Sequence, residues 1–123
     1  MSSLSIKTIF CDIDGVIFRH FQSVHDIVKM DAPSNVLPGV RSRFQQWLAS
    51  GYMIVLVTGR PNSLRKITEQ QLDDAGITYH TLLMGLPRGS RVIVNDKKPN
   101  NDHISTAESY EIDRDEGLAD VDI

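Results

Sequence analysis

Cysteine, tryptophan and long apolar runs are scarce in this chain of 123 residues. The single Cys11 cannot form a disulfide within the chain and lies in the first apolar run, which indicates a buried thiol in a reducing compartment. The longest apolar run, Met53–Val57, is too short to span a bilayer. Residues 1–5 lack a basic stretch followed by an apolar core, so no secretory signal is expected. Together these absences predict a soluble, cytoplasmic protein.

An excess of positive charge is also missing. Thirteen Lys and Arg stand against sixteen Asp and Glu, a net charge of −3, so there is no electrostatic footprint for nucleic acid. With 41% hydrophobic residues, a chain of this length can bury one core but not two. We therefore predict a single domain over 1–123. The acidic end, 113–123, is poorly patterned, and a flexible tail and a subunit contact both stay open for it.

Apolar patterns along the chain alternate between strand and helix. Residues at helical spacing predict one helix between Pro38 and Gly51 and another between Pro61 and Gly76. The runs that predict strands, rich in β-branched and aromatic residues, are 6–11, 52–57, 77–83, 91–94 and, at a sheet edge, 107–112. This alternation is typical of an α/β protein with a doubly wound, Rossmann-like, mostly parallel sheet. The ligand site of such a sheet lies beyond the carboxyl ends of its strands.

Polar residues follow three of these predicted strands. Asp12 and Asp14 come at the end of the first, Thr58 and Gly59 after the second, and Asp96 after the run 91–94. Two carboxylates beside a buried strand are costly unless something uses or neutralises them. Each fragment alone is also typical of a turn. Their joint occurrence, in this order and at strand ends, indicates a functional site.

The order Asp-x-Asp-Gly, then Thr-Gly, then Asp resembles the haloacid dehalogenase (HAD) superfamily of magnesium-dependent phosphotransferases, and the resemblance covers roughly residues 6–118. The resemblance implies that Asp12 is the nucleophile of an aspartyl-phosphate intermediate. It implies that Asp14 is the general acid for the leaving alcohol and then the base for the hydrolytic water. We expect Asp12 to stay ionised and Asp14 to hold a proton. Thr58 and Gly59 would bind the phosphate oxygens.

A divalent cation would remove the repulsion between these carboxylates and a phosphate dianion. Magnesium prefers hard oxygen ligands and keeps several waters, so two carboxylates and one carbonyl suffice. The ligands that we expect are the carboxylates of Asp12 and Asp96 and the main-chain carbonyl of Asp14.

The chain departs from the superfamily pattern in its cations and in its last acidic motif. The family uses a lysine, usually upstream of that motif, to bridge nucleophile and phosphate, but residues 77–94 contain none. Lys98 is the substitute that we expect, and the alternatives that stay open are Lys97, Arg88 and Arg91. Asn95 stands where the family usually has Gly or Asp, and Asp102 comes slightly late for a second acid.

Neither interval between the motifs holds a cap domain. From Asp14 to Thr58 there is room for a flap, one helix and one strand, and from Arg60 to Arg91 for one helix and one strand. The site should therefore be open unless a neighbouring subunit covers it, and we predict a homo-oligomer. The flap, residues 19–35, either contacts the leaving group through its cations or is a solvated loop.

The residues Asn-Asp-x-Lys-Pro at 95–99, with Arg-Asp-Glu-Gly-Leu at 114–118, are similar to small capless proteins associated with surface-polysaccharide biosynthesis. The expectation is a magnesium-dependent phosphatase for a sugar phosphate or related small phosphorylated metabolite. One alternative is a phosphatase for a macromolecular phosphate. The other, motivated by the missing lysine, is a low-activity binding domain with the HAD fold.

Overall fold

The computed structural model describes residues 6–100 and 104–123, so Asp102 lies outside the described residues. The strands are β1 (Thr8–Asp12), β2 (Met53–Val57) and β3 (Thr81–Leu83), and the helices are α1 (Val24–Lys29), α2 (Val40–Ala49) and α3 (Arg65–Asp74). Short 3₁₀ turns occupy Pro33–Asn35 and Asn62–Leu64. Among the described residues, no helix is long and apolar enough to cross a membrane.

The three strands form one parallel sheet in the order β1-β2-β3. Both crossovers step in the same direction, so right-handed connections place α2 and α3 on the same face of the sheet. Burial follows this arrangement: Ile9, Cys11 and Ile54 point to the covered face and are at most 7% exposed. The opposite face is covered only in part, since Phe10 is 55% exposed and Met53 44%, whereas Val55 is 6% exposed. The predicted α/β class with a parallel sheet is confirmed.

Helix α2 packs on the sheet with a buried apolar face. Val40, Phe44 and Trp47 lie on one face of the helix and are buried, with the two aromatic ring centroids 5.1 Å apart. Gly39 precedes the helix with a φ of +77°, and a Cβ there would lie 2.4 Å from the amide nitrogen of Ala119. Only glycine therefore fits at this position. The predicted helix is confirmed, and so is its partner α3.

Two of the predicted strands are wrong. Neither 91–94 nor 107–112 pairs with the sheet in the described structure, and Val92 and Val94 are 80% and 93% exposed. The β-branched side chains of 91–94 favour extended backbone, but a strand also needs a partner edge and a surface to pack on. The following residues instead bond elsewhere, since Asn95 Nδ2 donates to the main-chain oxygen of Thr106 at 2.9 Å. The strand predicted at 77–83 is shortened to β3.

The acidic C-terminal segment packs against the chain itself. Leu118 and Val121 are 4% and 7% exposed, and the Leu118 amide donates to the Pro38 carbonyl at 2.8 Å. Arg43 Nε donates to the carbonyl of Leu118 at 3.1 Å. Gly117 has a φ of +82°, and a Cβ there would meet the Pro38 oxygen at 2.2 Å. This close fit joins the end of the chain to the N-terminal end of α2.

Candidate functional site

The carboxyl end of β1 carries the first candidate acids. Asp12 is the last residue of the strand, and its Oδ1 accepts a hydrogen bond from the Ile13 amide at 2.9 Å. Asp12 lies opposite Val57, the last residue of β2, so β1 and β2 end side by side at the same edge of the sheet. The sheet therefore brings the loop that begins at Asp12 and the turn that begins at Thr58 to one edge, where parallel sheets bind ligands.

Asp14 forms a bidentate ion pair with Arg60. The Nε atom of Arg60 donates to Oδ2 at 2.9 Å and Nη2 donates to Oδ1 at 2.8 Å. Arg60 is 4% exposed and the side chain of Asp14 18%. Two charge-assisted hydrogen bonds from a planar guanidinium fix the plane of the carboxylate.

Arg60 is held in turn by two polar side chains of α3. Its Nη1 donates to Thr68 Oγ1 at 3.0 Å and to Gln71 Oε1 at 2.7 Å. Gln71 Nε2 donates to the main-chain oxygen of Ile27 in α1 at 2.7 Å. No buried side-chain nitrogen or oxygen of the described residues lacks a hydrogen-bond partner. The result is a continuous polar network from Asp14 to α1, which is costly to leave half-paired.

Sequence reasoning missed this network. Arg60 directly follows Thr58-Gly59, and a cation in a turn next to two acids was a usable signal. Thr68 and Gln71 are three residues apart, so they share a face of α3, and both are at most 3% exposed. Their burial becomes intelligible only once the guanidinium that they hold is known.

Thr58 and Gly59 differ in their access to a ligand. Thr58 is 1% exposed, and its Oγ1 accepts a hydrogen bond from the Arg60 amide at 3.1 Å. Its own amide donates to the Leu83 carbonyl at 3.0 Å, so the turn is tied to β3. Gly59 is exposed. A phosphate would therefore meet the open backbone of Gly59 more readily than the buried hydroxyl of Thr58.

The surroundings of Asp12 disfavour its charge. The residue is exposed at the sheet edge, yet loss of water around its carboxylate is the main cause that raises its pKa, and the charge of Asp14 raises it further. The hydrogen bond from Ile13 and the positive charges of Arg91 and His20 act in the opposite direction. The protein alone thus favours protonated Asp12 more than the sequence interpretation assumed. A cation bound beside the carboxylate would reverse this effect.

Among the cations kept open for the missing lysine, Arg91 is the one whose charge acts on Asp12. Its Nη1 donates to the carbonyls of Pro87 and Gly89 at 2.7 and 2.9 Å. Lys98 is half-buried and has no contact with Asp12 among those that the structure describes. Lys97 and Arg88 are exposed. Of these four cations, Arg91 is thus the one with an electrostatic effect on Asp12.

The three predicted magnesium ligands are not all brought together. The Asp12 carboxylate and the Asp14 carbonyl belong to one loop, and such hard oxygens fit magnesium, which commonly completes its shell with water and substrate phosphate. Asp96 is exposed, and its main-chain oxygen accepts from Thr106 Oγ1 at 2.5 Å. Among the described residues, no group of three or more His, Cys, Asp or Glu side chains could hold a metal ion. No described contact joins Asp96 to the other two.

Comparison with known proteins gives the fold alone. No family model matches the chain, and no curated protein does. The chain is similar to the crystal structure of an MCSG target from Vibrio cholerae, with a TM-score of 0.50 and 20% identity over 84% of this chain and 90% of that chain. This likeness supports the α/β class.

Proposed function

We propose that this chain is a magnesium-dependent phosphatase of the HAD type that hydrolyses a phosphate monoester, such as a sugar phosphate or related metabolite. The observation that carries the proposal is the meeting of two strand ends. Asp12 and Asp14 leave β1 beside the Thr58-Gly59 turn that leaves β2. Carboxylates and an open glycine backbone at this edge suit a phosphate held through a cation.

Asp12 is the proposed nucleophile. Its Oδ1 is engaged by the Ile13 amide, and no described residue donates to Oδ2, so Oδ2 is the oxygen that attacks. A bond forms from Oδ2 to phosphorus while the bond from phosphorus to the leaving alcohol oxygen breaks, and protonated Asp14 donates its proton to that oxygen and becomes a carboxylate. Water then attacks phosphorus, Asp14 accepts a proton from it, and the bond to Asp12 breaks to release phosphate.

The ion pair with Arg60 affects both roles proposed for Asp14, the general acid and the general base. As a base, Asp14 is held in a fixed orientation, because both of its oxygens accept hydrogen bonds from the guanidinium. As an acid, it must first carry a proton, and one hydrogen bond to Arg60 must open. We therefore expect the first half of the reaction to depend strongly on how good the leaving group is.

Magnesium would be held by the Asp12 carboxylate and the Asp14 main-chain carbonyl, with Asp96 as the proposed third ligand. Bound there, it would supply positive charge toward the phosphate dianion. The cation that bridges nucleophile and phosphate is Lys98. The alternative is Arg91, because its charge acts on Asp12. The proposal also keeps the cytoplasmic location and a homo-oligomer in which a neighbour narrows the open site. Sedimentation at working concentration tests the last point.

The decisive experiment measures phosphate release by the purified full chain from para-nitrophenyl phosphate and a panel of phosphorylated sugars, nucleotides and phosphopeptides. Each substrate is tested with magnesium and with a chelator. Asp12→Asn keeps the acceptor for the Ile13 amide but removes the nucleophile, so turnover should fall by several orders of magnitude. Asp26→Asn, which neutralises an exposed acid of α1, is the control. Wild-type turnover by Asp12→Asn would refute the mechanism.

The Asp14–Arg60 pair also favours a second candidate, a domain that binds phosphoesters with little turnover. Both oxygens of the proposed acid–base group are occupied by donors. This candidate predicts that calorimetry detects binding of a phosphoester from the panel while no phosphate is released.

A further inference from the structure

The C-terminal segment holds the loop that carries Asp12 and Asp14. The Asp115 amide donates to the Gly15 carbonyl at 2.9 Å, and Asp115 Oδ1 accepts from the His20 amide at 2.7 Å. Gly15 follows Asp14 directly, and His20 stands where the flap begins. Asp115, which is 95 positions from His20 along the chain, therefore holds both ends of the segment 15–20 by hydrogen bonds.

Asp115 takes an uncommon backbone conformation to make these contacts. Its φ is +66°, in the left-handed region that Asp and Asn tolerate better than most L residues. Such a conformation persists only where the surroundings determine it. Asp115 is held by its two hydrogen bonds to the loop. The chain that follows it is held because Leu118 is buried and its amide donates to the Pro38 carbonyl.

Arg114 makes the fit closer still. Gly15 has a φ of +88°, and a Cβ there would lie 3.2 Å from Cγ of Arg114. The aliphatic stem of Arg114 thus packs on the backbone of the loop. A side chain at position 15 would be strained by the positive φ and would require Arg114 to move by a few tenths of an ångström.

We propose that Asp115 is a positioning residue that fixes the loop from Asp12 to His20. The C-terminal segment is then a part of the site, and it complements Arg60, which holds Asp14 from the side of α3. The catalytic part of this inference rests on the proposed phosphatase function. Since a displacement of about 1 Å at a reacting group can lower a rate by about 100-fold, loss of this support should be measurable in kcat.

Two substitutions at position 115 separate positioning from general stability. Asp115→Asn keeps a carbonyl acceptor and tolerates positive φ, so kcat should stay within about threefold of wild type. Asp115→Gly keeps the φ and the amide bond to Gly15 but loses the acceptor for His20. It should lower kcat by about 10- to 100-fold while KM changes less. Asp120→Asn, which neutralises an exposed acid of the same segment, should leave both constants unchanged.

Amide hydrogen exchange at His20 tests the contact without any turnover. Asp115→Gly should speed this exchange at least about tenfold, and Asp115→Asn should not. Equal loss of kcat in both variants, or wild-type kcat and protection in Asp115→Gly, would overturn the proposal. If the wild-type chain releases phosphate from no substrate, the phosphatase function fails, and unchanged exchange at His20 in Asp115→Gly would separately overturn the positioning contact.

Discussion

Arg60 donates hydrogen bonds to both carboxylate oxygens of Asp14, at 2.9 and 2.8 Å, although the two residues are 46 positions apart. The guanidinium is buried, and its remaining nitrogen is bonded to α3. An exposed ion pair would contribute little to stability, about 0–1 kcal/mol. A buried one is different, because removal of one partner leaves an uncompensated charge. The pair therefore links the orientation of a candidate catalytic acid to the stability of the fold.

Removal of the guanidinium should destabilise the protein strongly. Arg60→Met leaves Asp14, Thr68 and Gln71 without their donor, and we expect a loss of about 3–5 kcal/mol in the free energy of unfolding. Urea unfolding measures this value. Arg88→Met, at an exposed site, should change it by less than about 0.5 kcal/mol. A free energy of unfolding of Arg60→Met within about 0.5 kcal/mol of wild type would contradict the prediction. The double variant Arg60→Met/Asp14→Asn should recover part of the loss, because it also removes the unpaired carboxylate.

Loss of Asp14 should matter most for poor leaving groups. Asp14→Asn removes proton transfer, so kcat/KM for an alkyl phosphate should fall by about 10²- to 10⁴-fold. The fall should be smaller for para-nitrophenyl phosphate, whose phenolate leaves without a proton. The melting temperature must be measured alongside, because the substitution also breaks the pair with Arg60. Equal losses on both substrates would argue against an acid role.

Metal dependence should be visible in binding as well as in turnover. Magnesium should raise the melting temperature of the wild-type chain, because it binds the folded state, and Asp12→Asn should abolish the increase. Calcium should not support turnover, because its looser coordination disturbs in-line geometry. A full thermal shift in Asp96→Asn would remove Asp96 from the ligand set. Full activity after exhaustive chelation would contradict the assigned ligands altogether.

The cation that replaces the family lysine can be identified by three alanine variants. If Lys98 bridges nucleophile and phosphate, Lys98→Ala loses most activity and Lys97→Ala loses little. Burial raises the pKa of Asp12 and the charge of Arg91 opposes this rise, so Arg91→Ala is the informative third variant. Unchanged kinetics in Lys98→Ala together with a large loss in Arg91→Ala would transfer the function to Arg91.

Stability should fall in alkaline solution because of Cys11. Burial is the main cause that raises the pKa of its thiol from 9.0 to about 12, with a further contribution from Asp12. Below pH 9 the thiol is protonated in both states and has no effect. Between pH 9 and 12 only the unfolded chain loses the proton, so the free energy of unfolding falls by up to about 1.4 kcal/mol per pH unit.

Cys11→Ala is the control for this titration. Its free energy of unfolding should be lower at neutral pH because of the cavity, but it should lack the slope that Cys11 adds above pH 9. Chemical denaturation across this pH range gives both values. Identical slopes in the two proteins would contradict the prediction.

The elements that the sequence predicted correctly depend on local causes. Continuous apolar runs define β1 and β2, and apolar residues at helical spacing with glycines near the ends define α2 and α3. The run 91–94 has the same composition as a buried strand, but composition does not supply a neighbouring edge. For this reason the sequence overestimated the sheet.

For the candidate site, the sequence alone determined that Asp12, Asp14 and Thr58 follow strands, and parallel strands then bring them to one edge. Only the tertiary structure decided their partners. Asp14 meets Arg60 across 46 positions and His20 meets Asp115 across 95, so no local pattern links either pair. Such contacts depend on how helices and the C-terminal segment pack on the sheet, because burial makes an unpaired charge or amide costly and thereby selects its partner.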